Sequence, residues 1–337
     1  MERIDQLWMN LEDQSSDRSG IFKTRYSETS EADVYLGIMV PEMYRLLILC
    51  IPFDKGRKFD FKYEFKGVKF EKLIDPYDSE IVLLCLKLVD FQLKDIFNTL
   101  CLDIIDSIIN DSEITLIQQK FKSRLLKWQN LFDRYNSEGL SLEEQRGLYG
   151  ELYFMREWMS ICPDFERIVS AWLGPERELQ DFQSDNWAVE VKTTFANNHQ
   201  KIHIHSERQL DSSHLSYLYL YHLSLEVRQN GGENLNQIIQ QVRKILASNQ
   251  MAYSLFNIKL MKAGYFDNHS DHYKVKGYFI RESKFYNVVD QFPRIQENDL
   301  MNGVGDVSYS IVASSLSKFT IADKLVFDNL ITNEQDR

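Results

Sequence analysis

Between residues 141 and 227 the spacing of apolar positions changes period several times, and each change predicts an element. SLEEQRGLYGELYFMREWMS, residues 141–160, reads as a helix: Ser141 with Glu144 three positions on forms a capping box, and Leu148, Leu152, Met155 and Met159 recur at helical spacing. Gly147 and Gly150 lower its helix propensity and would let another element approach closely. RIVSAWLG (167–174) predicts a strand. LQDFQ and WAVEVK predict two more, on either side of Ser184-Asp185-Asn186, where a hairpin needs its turn. IHIHSERQLD predicts a strand end entering a helix, with Ser206 and Gln209 as a second capping box, and LSYLYLYHLSLEV predicts a buried strand. The order is helix, strand, strand, strand, helix, strand.

The first 110 residues follow a different rhythm. VYLGIMV, MYRLLILCIPF, FDFKYEFK, VKFEKLI and IVLLCLKLVD are strand candidates, and Phe59, Phe61, Tyr63 and Phe65 alternate strictly with charged residues, as on a half-buried strand. Such an aromatic face is read as core, and Lys66-Gly67 as the turn into the next strand. From 91 to 135 the period becomes helical, with one stripe from Leu93 to Ile108 and a second from Ile114 to Phe132, predicting two helices that connect the units. Beyond 227, Gly231-Gly232 marks a break. LNQIIQQVRKILAS and YSLFNIKLMKAG then read as helices, KVKGYFIRESKFYNVV as strand-rich, and IVASSLSKFTI as a last strand.

Composition narrows the class. In 337 residues, 44% apolar and 13% aromatic, there is material for real cores. Cys50, Cys85, Cys101 and Cys162 show no CxxC spacing, which points to reduced cytosolic thiols rather than a disulfide frame or a zinc site. The polar first twenty residues lack a signal-peptide apolar region, and no apolar run reaches the length of a membrane span, so the expected location is cytoplasmic with no membrane partner. Neither a Walker phosphate loop nor a Gly-rich dinucleotide fingerprint is present, which argues against a nucleotide-driven motor. The net charge of −11 excludes a surface that is basic all over, so any nucleic-acid contact must be local.

The candidate chemistry sits in DFQSDNWAVEVK, residues 181–192. Side chains alternate along a strand, so Glu190 and Lys192 share a face about 7 Å apart, two steps of ~3.3 Å. A tight hairpin would lay Asp181 across from them. Two carboxylates there offer the oxygen donors that Mg²⁺ prefers; the metal would polarise a scissile phosphate and acidify water, with Lys192 placing that water or balancing developing charge. Glu151 lies among Leu148, Phe154 and Met155 on its helix, where an unpartnered carboxylate is costly. Read by spacing alone, the same residues could be an exposed charged face.

With the element order, the GELYF helix carrying Glu151, and Asp181, Glu190 and Lys192 in sequence, residues 141–227 resemble the PD-(D/E)XK nuclease superfamily, most of all the restriction-type proteins of bacterial defence clusters. Residue 180 is Gln where the motif's name has Pro. The resemblance implies an α/β fold with a restriction-endonuclease-like αβββαβ core and four residues, Glu151, Asp181, Glu190 and Lys192, around a metal and a scissile phosphate. Glu151, Asp181 and Glu190 would be the metal ligands. It implies Mg²⁺ as cofactor, with Mn²⁺ substituting, DNA as partner, and other defence proteins as candidate partners.

The expected organisation is a β-rich domain at 1–110, a bridging helix at 111–140, the nuclease core at 141–227 and an α+β extension at 228–337 packed on that core; a dimer stays open. Weaker candidates for nucleic-acid contact are Lys120, Lys122, Arg124 and Lys127, the densest basic run, and Lys201, His203, Arg208 and Gln209. Lys201, His203 and His205 alternate with isoleucines and read as polar groove lining rather than a transition-metal site. The expected function is metal-dependent DNA cleavage in anti-invader defence. The alternatives are a non-catalytic DNA-binding or assembly subunit on the same fold, and a structure-specific or RNA-directed nuclease.

Overall fold

The computed structural model describes residues 2–15, 19–28, 31–61, 64–65, 67–132, 139–195 and 200–332. The chain is a mixed α/β protein in two units, Met1–Tyr135 and Asn136–Arg337.

The first unit is built on an antiparallel sheet in the order β1-β2-β3-β6-β5-β4, comprising β1 (Gly20–Arg25), β2 (Val34–Val40), β3 (Tyr44–Pro52), β4 (Glu64–Phe65), β5 (Val68–Asp75) and β6 (Asp78–Leu88). The continuous apolar runs of β2, β3 and β6 occupy its middle, where both faces are covered, and β5, which alternates, lies nearer an edge. Helices α1 (Glu2–Ser15), α2 (Phe53–Lys58), α3 (Lys94–Ile108) and α4 (Ile114–Phe132) complete the unit. The alternating segment 59–66 follows α2, and among its described residues Glu64–Phe65 pair as a strand. Lys62, Tyr63 and Lys66 lie outside the described residues. Phe59 is core, buried with its ring 6.0 Å from Phe70 and 6.2 Å from Phe121 of α4. The helix expected to bridge 111–140 is α4, and it belongs to the first unit.

The second unit carries a five-stranded sheet in the order β13-β11-β10-β8-β7, made of β7 (Phe182–Gln183), β8 (Trp187–Thr194), β10 (Tyr217–Gln229), β11 (Lys276–Asn287) and β13 (Thr320–Ile321). β8 and β10 run parallel; the other pairings are antiparallel. Helices α5 (Leu142–Ile161), α6 (Phe165–Ala171), α7 (Leu235–Leu246), α8 (Gln250–Lys262) and α9 (Asp323–Thr332) share one core with Val189, Val191, Tyr219, Tyr221 and Leu223 of the sheet. The alternate residues Ala188, Leu218 and Leu220 pack instead with Ile202, Ile204 and Ile311 of a small pair, β9 (Lys201–Ile204) and β12 (Tyr309–Val312), which makes a third layer.

Three expectations are corrected. RIVSAWLG is α6 followed by an isolated bridge, Trp172 to Phe182, because Asp164 caps a helix there by accepting from Arg167 N–H. After β9 comes a 3-10 turn, Glu207–Leu210, in place of a full helix. IVASSLSKFTI is β12, a 3-10 turn and β13 rather than one strand. Residues 228–337 also do more than pack on a finished core, since β11 pairs with β10 from Tyr219 to Gln229 and α7, α8 and α9 supply Leu235, Ile239, Phe256 and Phe327 to its centre.

Candidate active site

The helix that carries Glu151 starts where its sequence says. Ser141 Oγ accepts from Glu144 N–H and Glu144 Oε2 accepts from Ser141 N–H, closing the capping box, and Leu148, Leu152, Met155 and Met159 are all buried. Of the two glycines, Gly150 sets the distance to β8. A methyl group there would stand 2.5 Å from Thr193 Cγ2, whereas one on Gly147 would meet nothing within 4 Å. We therefore expect Gly150→Val to overpack the α5–β8 contact and cost about 1–3 kcal/mol, roughly 2–10 °C in Tm. Gly147→Ala should instead be neutral or stabilising, by up to ~1 kcal/mol of helix propensity. Thermal unfolding of the two variants checks the assignment; equal losses would contradict it.

The hairpin places the acids. Ser184 N–H donates to Trp187 O and Phe182 pairs with Val189, so Asp181 falls beside Glu190 at the edge of the sheet. Beyond Val189 the edge of β8 has no strand partner among the described residues, and Asp181 Oδ2 uses it, accepting from Val191 N–H at 2.8 Å. Asp181 is itself anchored, since its carbonyl accepts from the N–H groups of Leu173 and Gly174. Glu151 arrives from α5 and is held by Trp172, whose indole N–H donates to Oε2 at 2.6 Å. A Cβ on Gly174 would lie 2.6 Å from Glu151 Oε2 and 3.1 Å from Asp181 Oδ1, so the two carboxylates close over this glycine and leave no room for a side chain. Trp172 and Gly174 were missed in the sequence; a tryptophan just ahead of Leu-Gly was the only signal available.

Glu190 and Lys192 lie on the opposite face of β8. Glu190 is only 1% exposed, and neither of its carboxylate oxygens has a hydrogen-bond partner among the described residues. Lys192 Nζ stands 2.8 Å from Oε1 as a charge contact outside hydrogen-bonding geometry, and donates to Gln209 Oε1 at 3.1 Å. Gln209 thus differs from its expected capping role: Ser206 accepts from Arg208 N–H instead, and Gln209 Oε1 also accepts from His205 N–H.

Crowding sets the electrostatics. Burial and then the Asp181 charge hold Glu151 well above the carboxylate range against the Trp172 hydrogen bond, and burial raises Asp181 despite the Lys192 charge. Burial, with Asp181 second, pushes Glu190 up to about 8. Lys192 feels burial in the opposite sense, but the charges of Glu190 and Asp181 outweigh it and its pKa ends raised, so its ammonium form is favoured.

These four residues line a pocket of about 450 Å³ together with Arg146, Phe195, Lys201, His203, His205 and Gln209. Of the weaker candidates, Lys201, His203 and Gln209 are therefore at the pocket, and Arg208 faces Glu297 at 3.4 Å. The basic run lies on α4 in the first unit: Lys120 pairs with Asp111 at 2.7 Å, Arg124 with Asp103 at 3.2 Å, Lys122 stands over Phe61, and Lys127 is exposed.

Among the described residues no group of three or more His, Cys, Asp or Glu side chains stands ready-made to hold a metal. Glu151 is turned to Trp172 and Glu190 to Lys192 rather than to a common point. The donor set nevertheless fits a hard cation. It is all oxygen, its carboxylates are protonated more readily than usual because burial disfavours their charge, with the Asp181 charge adding to this for Glu151 and Glu190, and among the described residues the two buried Glu190 oxygens have no hydrogen-bond donor in good geometry.

A family model described as "Putative PD-(D/E)XK family member, (DUF4420)" matches residues 4–314. No curated protein matches the chain, and no solved structure does.

Proposed function

We propose, for a chain that belongs to the DUF4420 family of PD-(D/E)XK members, that its second unit is a metal-dependent phosphodiesterase acting on DNA in restriction or another anti-invader defence. The observation that carries this reading is the meeting of Glu151, Asp181, Glu190 and Lys192 in one pocket at an open sheet edge, with the buried Glu190 carboxylate paired in charge with Lys192 at 2.8 Å. Asp181, Glu190 and Glu151 would hold a divalent cation, Mg²⁺ or in its place Mn²⁺, which supplies Lewis-acid polarisation of a phosphate oxygen and acidification of water.

The protein's own contribution follows from its contacts. Trp172 and Val191 N–H fix one oxygen each of Glu151 and Asp181, so the acids are oriented before anything binds. Lys192, kept charged by its carboxylate neighbours, presents Nζ as a donor toward negative charge that grows at phosphorus, rather than as a base. Gln209 limits where that amine can swing, since its Oε1 accepts from both Lys192 Nζ and the His205 N–H. The defence setting draws on the resemblance of the motif region to restriction-type proteins.

The test is a cleavage assay of the full chain on plasmid, linear duplex DNA, single-stranded DNA and RNA in Mg²⁺, Mn²⁺ and EDTA. Cleavage of DNA in Mg²⁺ or Mn²⁺ that stops in EDTA is the expected result. Binding without cleavage of any substrate in either metal would favour the non-catalytic subunit; cleavage of RNA alone would move the substrate assignment.

A further inference from the structure

Phe195 follows directly on β8, and although it lines the candidate active-site pocket it is 55% exposed. An apolar ring so exposed beside four ionisable groups contributes nothing to holding the carboxylates. Arg146 of α5 has its guanidinium carbon 4.0 Å from the ring centroid, over one face. Also lining the pocket, His203 of β9 and His205 just beyond its end stand edge to face, 4.6 Å between centroids, and both are exposed.

The charge of the lining matters to what these rings can be for. Arg146, Lys192 and Lys201 stand against Glu143, Glu151, Asp181 and Glu190, and the whole chain carries −11. A surface that holds an intact duplex draws most of its affinity from phosphate neutralisation, and in this lining the three cationic side chains are interspersed with four acids rather than gathered into a basic stripe. Aromatic and guanidinium planes recognise nucleic acid in another way, by stacking on bases that have left the helix.

We propose that Phe195, backed by Arg146, is a stacking platform for an unpaired base, so that the pocket takes a single-stranded or locally splayed segment rather than a closed duplex. This names the substrate class of the phosphodiesterase site described above and rests on that reading. Phe195 is a binding and specificity residue here, distinct from the acids that would act on the phosphate. The volume of about 450 Å³ is in the range of pockets that take one small ligand, which suits a nucleotide turned inward from a strand.

The experiment uses the full chain, Ca²⁺ in place of Mg²⁺, and two probes carrying 2-aminopurine: a single-stranded oligodeoxynucleotide and the same strand annealed to its complement. Fluorescence quenching reports stacking, and anisotropy reports affinity. Phe195→Ala should weaken single-strand binding roughly 10- to 100-fold, the scale of one lost stacking contact, and abolish the quenching. Phe195→Trp should retain both. Arg146→Gln should fall between. Overturning results are unchanged single-strand affinity in Phe195→Ala, or equal loss on single strand and duplex, because neither is what a base platform gives. Quenching in a parent protein that cuts no nucleic acid in Mg²⁺ or Mn²⁺ would remove the phosphodiesterase reading and leave the platform standing, so the two failures are separable.

Discussion

Lys192→Ala is expected to lower the cleavage rate at least ~100-fold, the order lost when one donor to the transition state is removed, while DNA affinity measured in Ca²⁺ changes little. The amine is buried among Glu151, Asp181, Glu190 and Gln209, and its pKa is raised by the acids, so it is charged throughout the working pH range. A charge in that position contributes most when negative charge develops on the phosphate and least to the ground state, which is how a residue acts on rate rather than on binding. Asp181→Asn should be equally severe for a different reason: it preserves the atom that accepts from Val191 N–H and removes the charge. Single-turnover cleavage and Ca²⁺ anisotropy on the same preparations separate these effects. If Lys192→Ala loses binding in step with rate, the amine is a phosphate contact and the assignment above fails.

A second large effect concerns stability in the absence of metal. Glu190 has a folded pKa of about 8 against an ordinary 4.5, because burial and the Asp181 charge favour its protonated form. The folded chain therefore holds a proton that the unfolded chain releases, and as pH rises from about 4.5 to 8 the unfolded state gains. Metal-free protein should lose stability across that window, with no further contribution from Glu190 above it. Glu190→Gln, the same shape without the titration, should recover on the order of a few kcal/mol at pH 8, roughly 5–10 °C in Tm, and almost nothing at pH 4.5. Added Mn²⁺ should stabilise the parent more at pH 8 than at pH 6 and the variant hardly at all. Parallel pH profiles for parent and variant would show that Glu190 is not desolvated as described.

How much of this was legible in the chain depends on how local each signal is. The capping box at Ser141, the buried stripe of α5, the turn at 184–186 and the long apolar β10 are each written within a few residues, and they stand where their patterns put them. The close approach at Gly150 was also readable, because a glycine inside a strong helix calls for a packing reason. What misled was β-branched content. Ile168 and Val169 suggested a strand, but the seven residues of α6 are too few for periodicity to arbitrate, and the deciding signal was Asp164 as a helix cap. Of the alternating segment 59–66, the described residues bear out burial at Phe59, which packs against Phe121 of α4, and strand pairing at Glu64–Phe65. Trp172, Gly174 and Gln209 reach the site from segments whose neighbours in space are distant in sequence, and no periodicity encodes such a contact.

One contact also decides where the chain can be cut. Lys259 of α8 is almost fully buried; its amine donates to Ser170 O at 3.0 Å and to Trp172 O, and burial lowers its pKa to about 8. Those carbonyls end α6, and the residue they steady is the tryptophan that holds Glu151. The motif stretch therefore borrows a fastening from a helix that begins more than twenty residues after it ends, and a fragment stopping at residue 227 would forfeit both this fastening and the strand that borders β10. Taken as a cassette, residues 141–227 would stand without those supports. Here the cassette has no rear wall of its own, and the smallest transplantable piece is the whole of the second unit.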